Sequence, residues 1–296
     1  MTVYSQIATN KRNSLFLITA VLAFVIGVVA AYSYYVRGDF VLPVIAAIFA
    51  IPSSLIGYYS GDKIALATNS AREVNLEQNP ELHHIVENLA ITAGVPKPRI
   101  YIIDSPALNA FATGRDPQHA SIAVTSGILQ ALTRSELEGV LAHELSHVRN
   151  YDIRFSTLVA IFIGFIVILS DMITRATFFG GFRNRDDREN NNQLGAIMAI
   201  ISLVLLIISP LIAQLIQLAI SRQREYLADA SGALLTRYPE GLASALEKIS
   251  GSSKLETASN ATAHLFIANP FNAQKLAGLF STHPPIKDRI KRLREM

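Results

Sequence analysis

The chain has 296 residues and a mass of 32.3 kDa, enough for one or two domains. Half of it is hydrophobic, 17% is charged and the mean hydropathy is +0.32. A soluble globular domain carries about 25% charged residues, so this balance excludes a disordered chain and argues for a membrane protein. The absence of cysteine excludes a disulfide scaffold, a thiolate zinc site and a cysteine nucleophile. The formal net charge of +3 suits lysine and arginine at a cytoplasmic membrane face better than nucleic-acid binding, so no nucleic-acid partner is expected.

Two charge-free runs open the chain, over residues 15–36 and 40–61. Each clears the roughly 20 residues that a helix needs to cross a bilayer core. The connector Arg37-Gly38-Asp39 is short, so the two are expected to form a helical hairpin. A third apolar run, 155–170, is interrupted by Asp171 and Arg175, and a fourth, 194–220, carries no charge. The charge-free core of the third is shorter than a crossing; Asp171 and Arg175 stand four apart, where they can pair on one helix face. Four spans put the N-terminus, the middle segment and the C-terminal segment on one side of the membrane. Lys11, Arg12, Lys63, Arg72, Arg222 and Arg224 lie near span ends on that side, which marks it as cytoplasmic.

The expected organisation is an N-terminal membrane hairpin (1–61), a catalytic segment (62–154), a second membrane hairpin (155–220) and a C-terminal catalytic segment (221–296). In the middle segment, helical spacing runs over 80–93 with Gly94 as its stop. A β-branched strand follows over 99–103, then short strands over 110–112 and 121–124 with the turn Gly114-Arg115-Asp116-Pro117 between them. Thr133 and Glu136 have capping-box spacing at the start of a long helix. Further helices are predicted over 222–235, 239–249 and 284–294, and the Ser/Thr/Gly-rich stretch 251–260 reads as a loop.

The long helix carries His143-Glu144-Leu145-Ser146-His147. Residues four apart share a face, so both imidazoles can reach one metal ion, while Leu137, Leu141, Leu145 and Val148 supply packing on other faces. Glu144 stands where it can act as a base on the attacking water. Two histidines need a third protein ligand. The best candidate is Glu225. The histidine pair lies just before the third run and Glu225 just after the fourth, so a membrane hairpin would return the chain to the same level. Asp229, one turn on, can orient a ligand histidine through its remaining N–H. His83 and His84 point apart on their helix, and His119 and His264 lack acidic partners at ligand spacing. Ligand chemistry favours zinc, although cobalt or manganese suit the same donors. The strand around Asn109, Ala110, Phe111, Ala112 and Thr113, or residues 121–124, can bind an extended polypeptide by strand addition.

The whole chain resembles the HtpX-type membrane zinc peptidases, relatives of the CAAX prenyl proteases. The resemblance rests on the paired apolar runs, on His143-Glu144-Leu145-Ser146-His147, and on Glu225 with Asp229. The segment 109–114 and the tail Thr282-His283-Pro284-Pro285 match as well. It implies a mainly α membrane protein: four transmembrane helices and a cytoplasmic α+β, zincin-like domain with a small sheet. It further implies one zinc per chain on His143, His147 and Glu225, with Glu144 as catalytic base. A C-terminal histidine near the site makes His283 the candidate oxyanion donor, with Arg289 a weaker one. The implied activity is endopeptidase cleavage of misfolded or damaged membrane proteins at the cell membrane, a quality-control and stress-response role. A narrow-substrate processing protease and a non-catalytic zinc-binding scaffold are the alternatives; four spans, fewer than in the prenyl proteases, weigh against CAAX processing, and Glu144 weighs against the scaffold.

Overall fold

The computed structural model describes residues 3–36, 41–164, 222–251, 262–268 and 284–296, with Leu255, Ala258 and Pro270. The predicted fourth span, the later part of the third and His283 lie outside the described residues.

The chain opens with two long helices, α1 (Val3–Val36) and α2 (Val41–Thr68). Both outrun the apolar stretches that suggested them. α1 begins about a dozen residues early, in polar sequence, and α2 continues past Gly61 toward the sheet. Among the described residues no helix is long and apolar enough to cross a membrane; the side chains of 31–43 are not among them.

Four strands follow: β1 (Arg72–Glu73), β2 (Arg99–Ile103), β3 (Ala110–Gly114) and β4 (Ala120–Thr125). Their order is β1-β2-β4-β3, with β2 and β4 parallel and the outer pairs antiparallel. The two-residue β1 was not expected: nothing in two exposed polar residues announces a strand, and pairing with β2 creates it. The predicted strands over 110–112 and 121–124 extend because Thr113 and Gly114 pair with Ser121 and Ala120. The turn closes with a short 3-10 segment, Pro117–His119, capped by Asp116, which also holds His119 Nδ1 at 2.7 Å. His119 therefore does have an acidic partner, three residues back rather than at the four-residue ligand spacing.

Alternation along the sheet fills two cores. Ile100, Ile122, Val124, Ala110 and Ala112 pack on the side of α3 (Pro80–Ala93) and α5 (Arg134–Arg149). Tyr101, Ile103, Phe111 and Ala123 face the end of α2 and residues 265–266. Gly94 takes the left-handed conformation (φ 68°) that stops α3. A short helix, α4 (Ser126–Ala131), precedes α5, whose first turn carries the predicted capping box of Thr133 and Glu136. The chain turns at Tyr151 (φ 61°) and resumes as α6 over 152–164. Phe155, Leu158, Val159, Phe162 and Ile163 pack there with Leu17 of α1. The C-terminal part supplies α7 (Arg222–Thr236), α8 (Pro239–Ser250) and α9 (Ile286–Arg294). α9 starts two residues later than expected, after Pro284 and Pro285, because the residue before a proline is kept out of the helical region.

Candidate metal centre

α5 and α7 build the site. They approach closely where Gly232 faces the backbone of α5: a Cβ at Gly232 would stand 3.0 Å from His143 N. Glu225, two turns before Gly232 on the same face of α7, is thereby aimed at His143 and His147. The donor atoms of His143, His147 and Glu225 all lie within 4.8 Å of one another. The individual separations are 3.2 Å for His143 Nε2 to His147 Nε2, 3.9 Å for His143 Nε2 to Glu225 Oε2, and 3.6 Å for His147 Nε2 to Glu225 Oε1. Donors about 2.0–2.1 Å from a zinc ion stand about 3.3 Å apart across a tetrahedron, so three nitrogen and oxygen atoms so placed fit one ion.

The outer nitrogens are held by carboxylates. Asp229 Oδ1 lies 2.9 Å from His143 Nδ1, and Asp152 Oδ2 lies 3.0 Å from His147 Nδ1. These contacts leave both Nε2 atoms facing Glu225, free to act as donors to one ion. Asp152 has no helical spacing to His147, because the left-handed Tyr151 breaks the helix between them. A carboxylate five residues past a candidate ligand was the available signal.

Arg289 has a different place from the oxyanion donor suggested by sequence. It is fully buried, its Nε and Nη2 donate to the two oxygens of Asp229 at 2.9 and 2.7 Å, and its Nη1 donates to Ile267 O. Nη1 also lies 3.7 Å from Glu225 Oε2. The guanidinium is thus a clamp on Asp229 behind the ligands. With every carboxylate ionised and both histidines neutral, as metal binding requires, Glu144, Glu225, Asp152 and Asp229 face two guanidiniums, Arg289 and Arg224, which leaves a formal surplus of two negative charges. A dication fits that surplus.

Proton affinities follow the same geometry. Burial, helped by the charges of Arg289 and His147, pushes His143 down to about 4 against the pull of Asp229, so its ring is neutral at pH 7. Burial opposes a charge on His147, but Asp152, Glu225 and Glu144 together raise it to about 9. Burial, with the Glu225 charge, raises Glu144 to about 7 even though the Ala112 amide donates to its carboxylate. Asp229 is buried too, yet Arg289 and His143 hold it down to about 2.

A cavity of about 30 Å³ beside the ligands is lined by Glu144, Ala112, His264 and Phe266 among others. β3 is an edge of the sheet, and Asn109 just before it, with Ala110 and Phe111, already meets residues 266–268 of the same chain. Phe111 bridges Phe266, Ile267 N donates to Ala110 O at 2.9 Å, and Asn109 Nδ2 donates to Ala268 O at 3.0 Å. Thr113 Oγ1 is bonded to Thr157 Oγ1, and Ala112 is the β3 residue that reaches the cavity. His264 Nε2 meets Ser156 O at 2.9 Å and His83 Nε2 meets Val74 O at the same distance, and neither belongs to the donor cluster found among the described residues.

Comparison with known proteins is consistent across most of the chain. Residues 76–296 match the model of peptidase family M48. A "Protease HtpX homolog" of Streptococcus uberis is 46% identical over 99% of this chain and 99% of its own length. Proteins of the same description from Thermoanaerobacter pseudethanolicus and Caldanaerobacter subterraneus are 48% and 47% identical, each over 100% of this chain and 98% of the relative. Among solved structures, Ste24p of S. mikatae shares the fold with a TM-score of 0.50 at 19% identity, over 98% of this chain and 67% of that one.

Proposed function

This chain belongs to peptidase family M48, a zinc-dependent metallopeptidase acting on polypeptides, and we propose that it is a multi-pass endopeptidase of the cell membrane. Its substrates in this reading are misfolded or damaged membrane proteins, cleaved at a cytoplasm-facing site. The observation that carries the catalytic part is the convergence of His143, His147 and Glu225 with Glu144 beside them. The membrane part draws support from the charge-free runs and from α1 and α2, which expose Leu15, Phe16, Val44, Ile48, Leu55 and Ile56. Apolar side chains displayed in such number suit lipid rather than water.

When bound, zinc supplies Lewis acidity at the scissile carbonyl and acidity to a water. His143, His147 and Glu225 hold the ion, while Asp229 and Asp152 fix the imidazoles. Glu144 takes the proton of the attacking water and delivers it to the leaving amine. Its affinity near 7 suits both steps, and the Ala112 amide keeps its carboxylate oriented. His283 is the proposed oxyanion donor. Of the strand residues Asn109, Ala110, Phe111, Ala112 and Thr113, Ala112 is the one that brings an extended polypeptide to Glu144, since 109–111 already pair with residues 266–268. The domain boundaries at 61, 154 and 220 are part of the same proposal: two membrane hairpins, each followed by half of the catalytic domain.

The test is metal analysis and cleavage of an unfolded protein by the detergent-purified chain and its Glu144→Gln variant. One zinc in each, with cleavage only by the parent, is expected. A variant that cleaves as fast as the parent overturns the assignment of Glu144. Cleavage of one defined peptide but of no unfolded protein overturns the quality-control role in favour of narrow processing.

A further inference from the structure

An asparagine is a weak helix former, so one buried inside a helix with every amide hydrogen used points to a tertiary task. Asn10 of α1 is such a residue. It is 2% exposed, and it lies five residues before the apolar run, in the polar part of α1. Its Nδ2 donates to Asn150 O at 2.9 Å and to Asp152 Oδ1 at 2.6 Å. The other oxygen of Asp152 holds His147 Nδ1 at 3.0 Å. The two oxygens of one carboxylate are therefore divided between the N-terminal helix and a candidate zinc ligand, with Arg224 Nη1 3.9 Å from Oδ1 and donating to Asn10 Oδ1 at 3.5 Å. Two neighbours reinforce the seat: Ser14 Oγ donates to Asn10 O at 2.8 Å, and Lys11 Nζ sits 4.2 Å from the centre of the Tyr151 ring.

We propose that Asn10 is a positioning residue of the metal centre, holding Asp152 so that Asp152 holds His147, and that the polar start of α1 is thereby a working part of the catalytic domain. The inference rests on the metal-centre reading above. A carboxylate fixed at one oxygen keeps the other on the ring nitrogen; without Asn10, Oδ1 retains, among the described residues, only Arg224 at 3.9 Å, beyond hydrogen-bond distance, and the carboxylate gains freedom to rotate and leave His147 able to turn. Outer-shell partners of a ligand histidine are worth about 10- to 100-fold in metal affinity, and Asn10 stands one bond further out. A loss near the lower end, about tenfold, is expected.

The experiment uses the full-length chain in detergent, in a Glu144→Gln background that prevents self-digestion. Zinc affinity is read by competition with a chromophoric chelator, and ligand geometry by the visible absorption of the cobalt(II)-loaded protein. Asn10→Ala is expected to weaken zinc about tenfold and to alter the cobalt spectrum. Asn10→Asp, which sets a second carboxylate against Asp152, is expected to weaken it further. Asn10→Ser, which keeps a donor, falls between, and Arg12→Ala, at an exposed position of α1, matches the parent. With Asp152→Ala already in place, adding Asn10→Ala has less than about a twofold effect, because the two act in series. Melting temperatures separate loss of fold from loss of position, and Asn10→Ser serves if Asn10→Ala does not fold. Parental affinity and spectrum in Asn10→Ala, or a full effect without Asp152, overturns the proposal while leaving the metal centre intact. A parent that binds no zinc overturns the metal centre and this proposal with it.

Discussion

Asp229 Oδ1 stands 2.9 Å from His143 Nδ1 and 2.7 Å from Arg289 Nη2, so one buried carboxylate joins a candidate ligand to a fully buried guanidinium. The carboxylate is essential to both neighbours. Without it, His143 loses the partner that fixes its ring, and Arg289 keeps a charge with Glu225 Oε2 still 3.7 Å from Nη1. Breaking a buried pair by removing one partner costs about 3–5 kcal/mol. Asp229→Ala is therefore expected to lower stability by about that amount and zinc affinity by about 10- to 100-fold. Chemical denaturation and chelator competition measure the two; a stable variant with parental affinity shows that Asp229 has neither role.

Glu225 is the ligand whose assignment depends most on tertiary structure. Glu225→Ala leaves His143 and His147 with no third donor among the described residues, and zinc content is expected to fall well below one per chain after dialysis. His147→Ala is expected to do the same. Elemental analysis of the purified variants decides it: full zinc in Glu225→Ala removes this residue from the ligand set.

The histidine pair and its glutamate were legible because a helix fixes the relation of residues four apart, and the capping box at Thr133 and Glu136 was legible for the same reason. Glu225 and Asp229 could be reached only by an argument from chain return. The seat of Asn10 on Asp152 and the clamp role of Arg289 were not legible. Each depends on where two elements distant in sequence touch: Asn10 and Asp152 are 142 positions apart, Arg289 and Asp229 60. Periodicity describes one element at a time, and buried polar contacts between elements leave no trace in it.

Gly232 tests the close approach that brings Glu225 into reach. A methyl there would press on the backbone of α5 at His143, 3.0 Å from its nitrogen, and backbone cannot swing aside as a flexible side chain can. Overpacking of this kind costs about 1–3 kcal/mol. Gly232→Ala is expected to lower the melting temperature and to weaken zinc, since α7 must move away from α5 and take Glu225 with it. If melting falls while zinc affinity stays parental, Glu225 reaches the site without this contact.

The start of α5 gives the pH dependence. Burial alone would raise the Glu136 carboxyl, but the Lys248 ammonium 2.7 Å away and the Thr133 hydrogen bonds outweigh it and hold the group below its ordinary 4.5. A carboxyl with a lowered affinity in the folded chain binds fewer protons there than when unfolded. Its contribution is therefore complete above pH 4.5 and is lost as pH falls through the folded value. Glu136→Gln removes the charge while keeping the shape, so parent and variant are expected to differ by about 1 kcal/mol at pH 7 and to draw together in acid, below the folded value. Urea unfolding at pH 7 and in acid measures the gap. Because this helix carries His143 and His147, the same variant is expected to keep its zinc; an undiminished gap in acid would assign the contribution of Glu136 to packing rather than to charge.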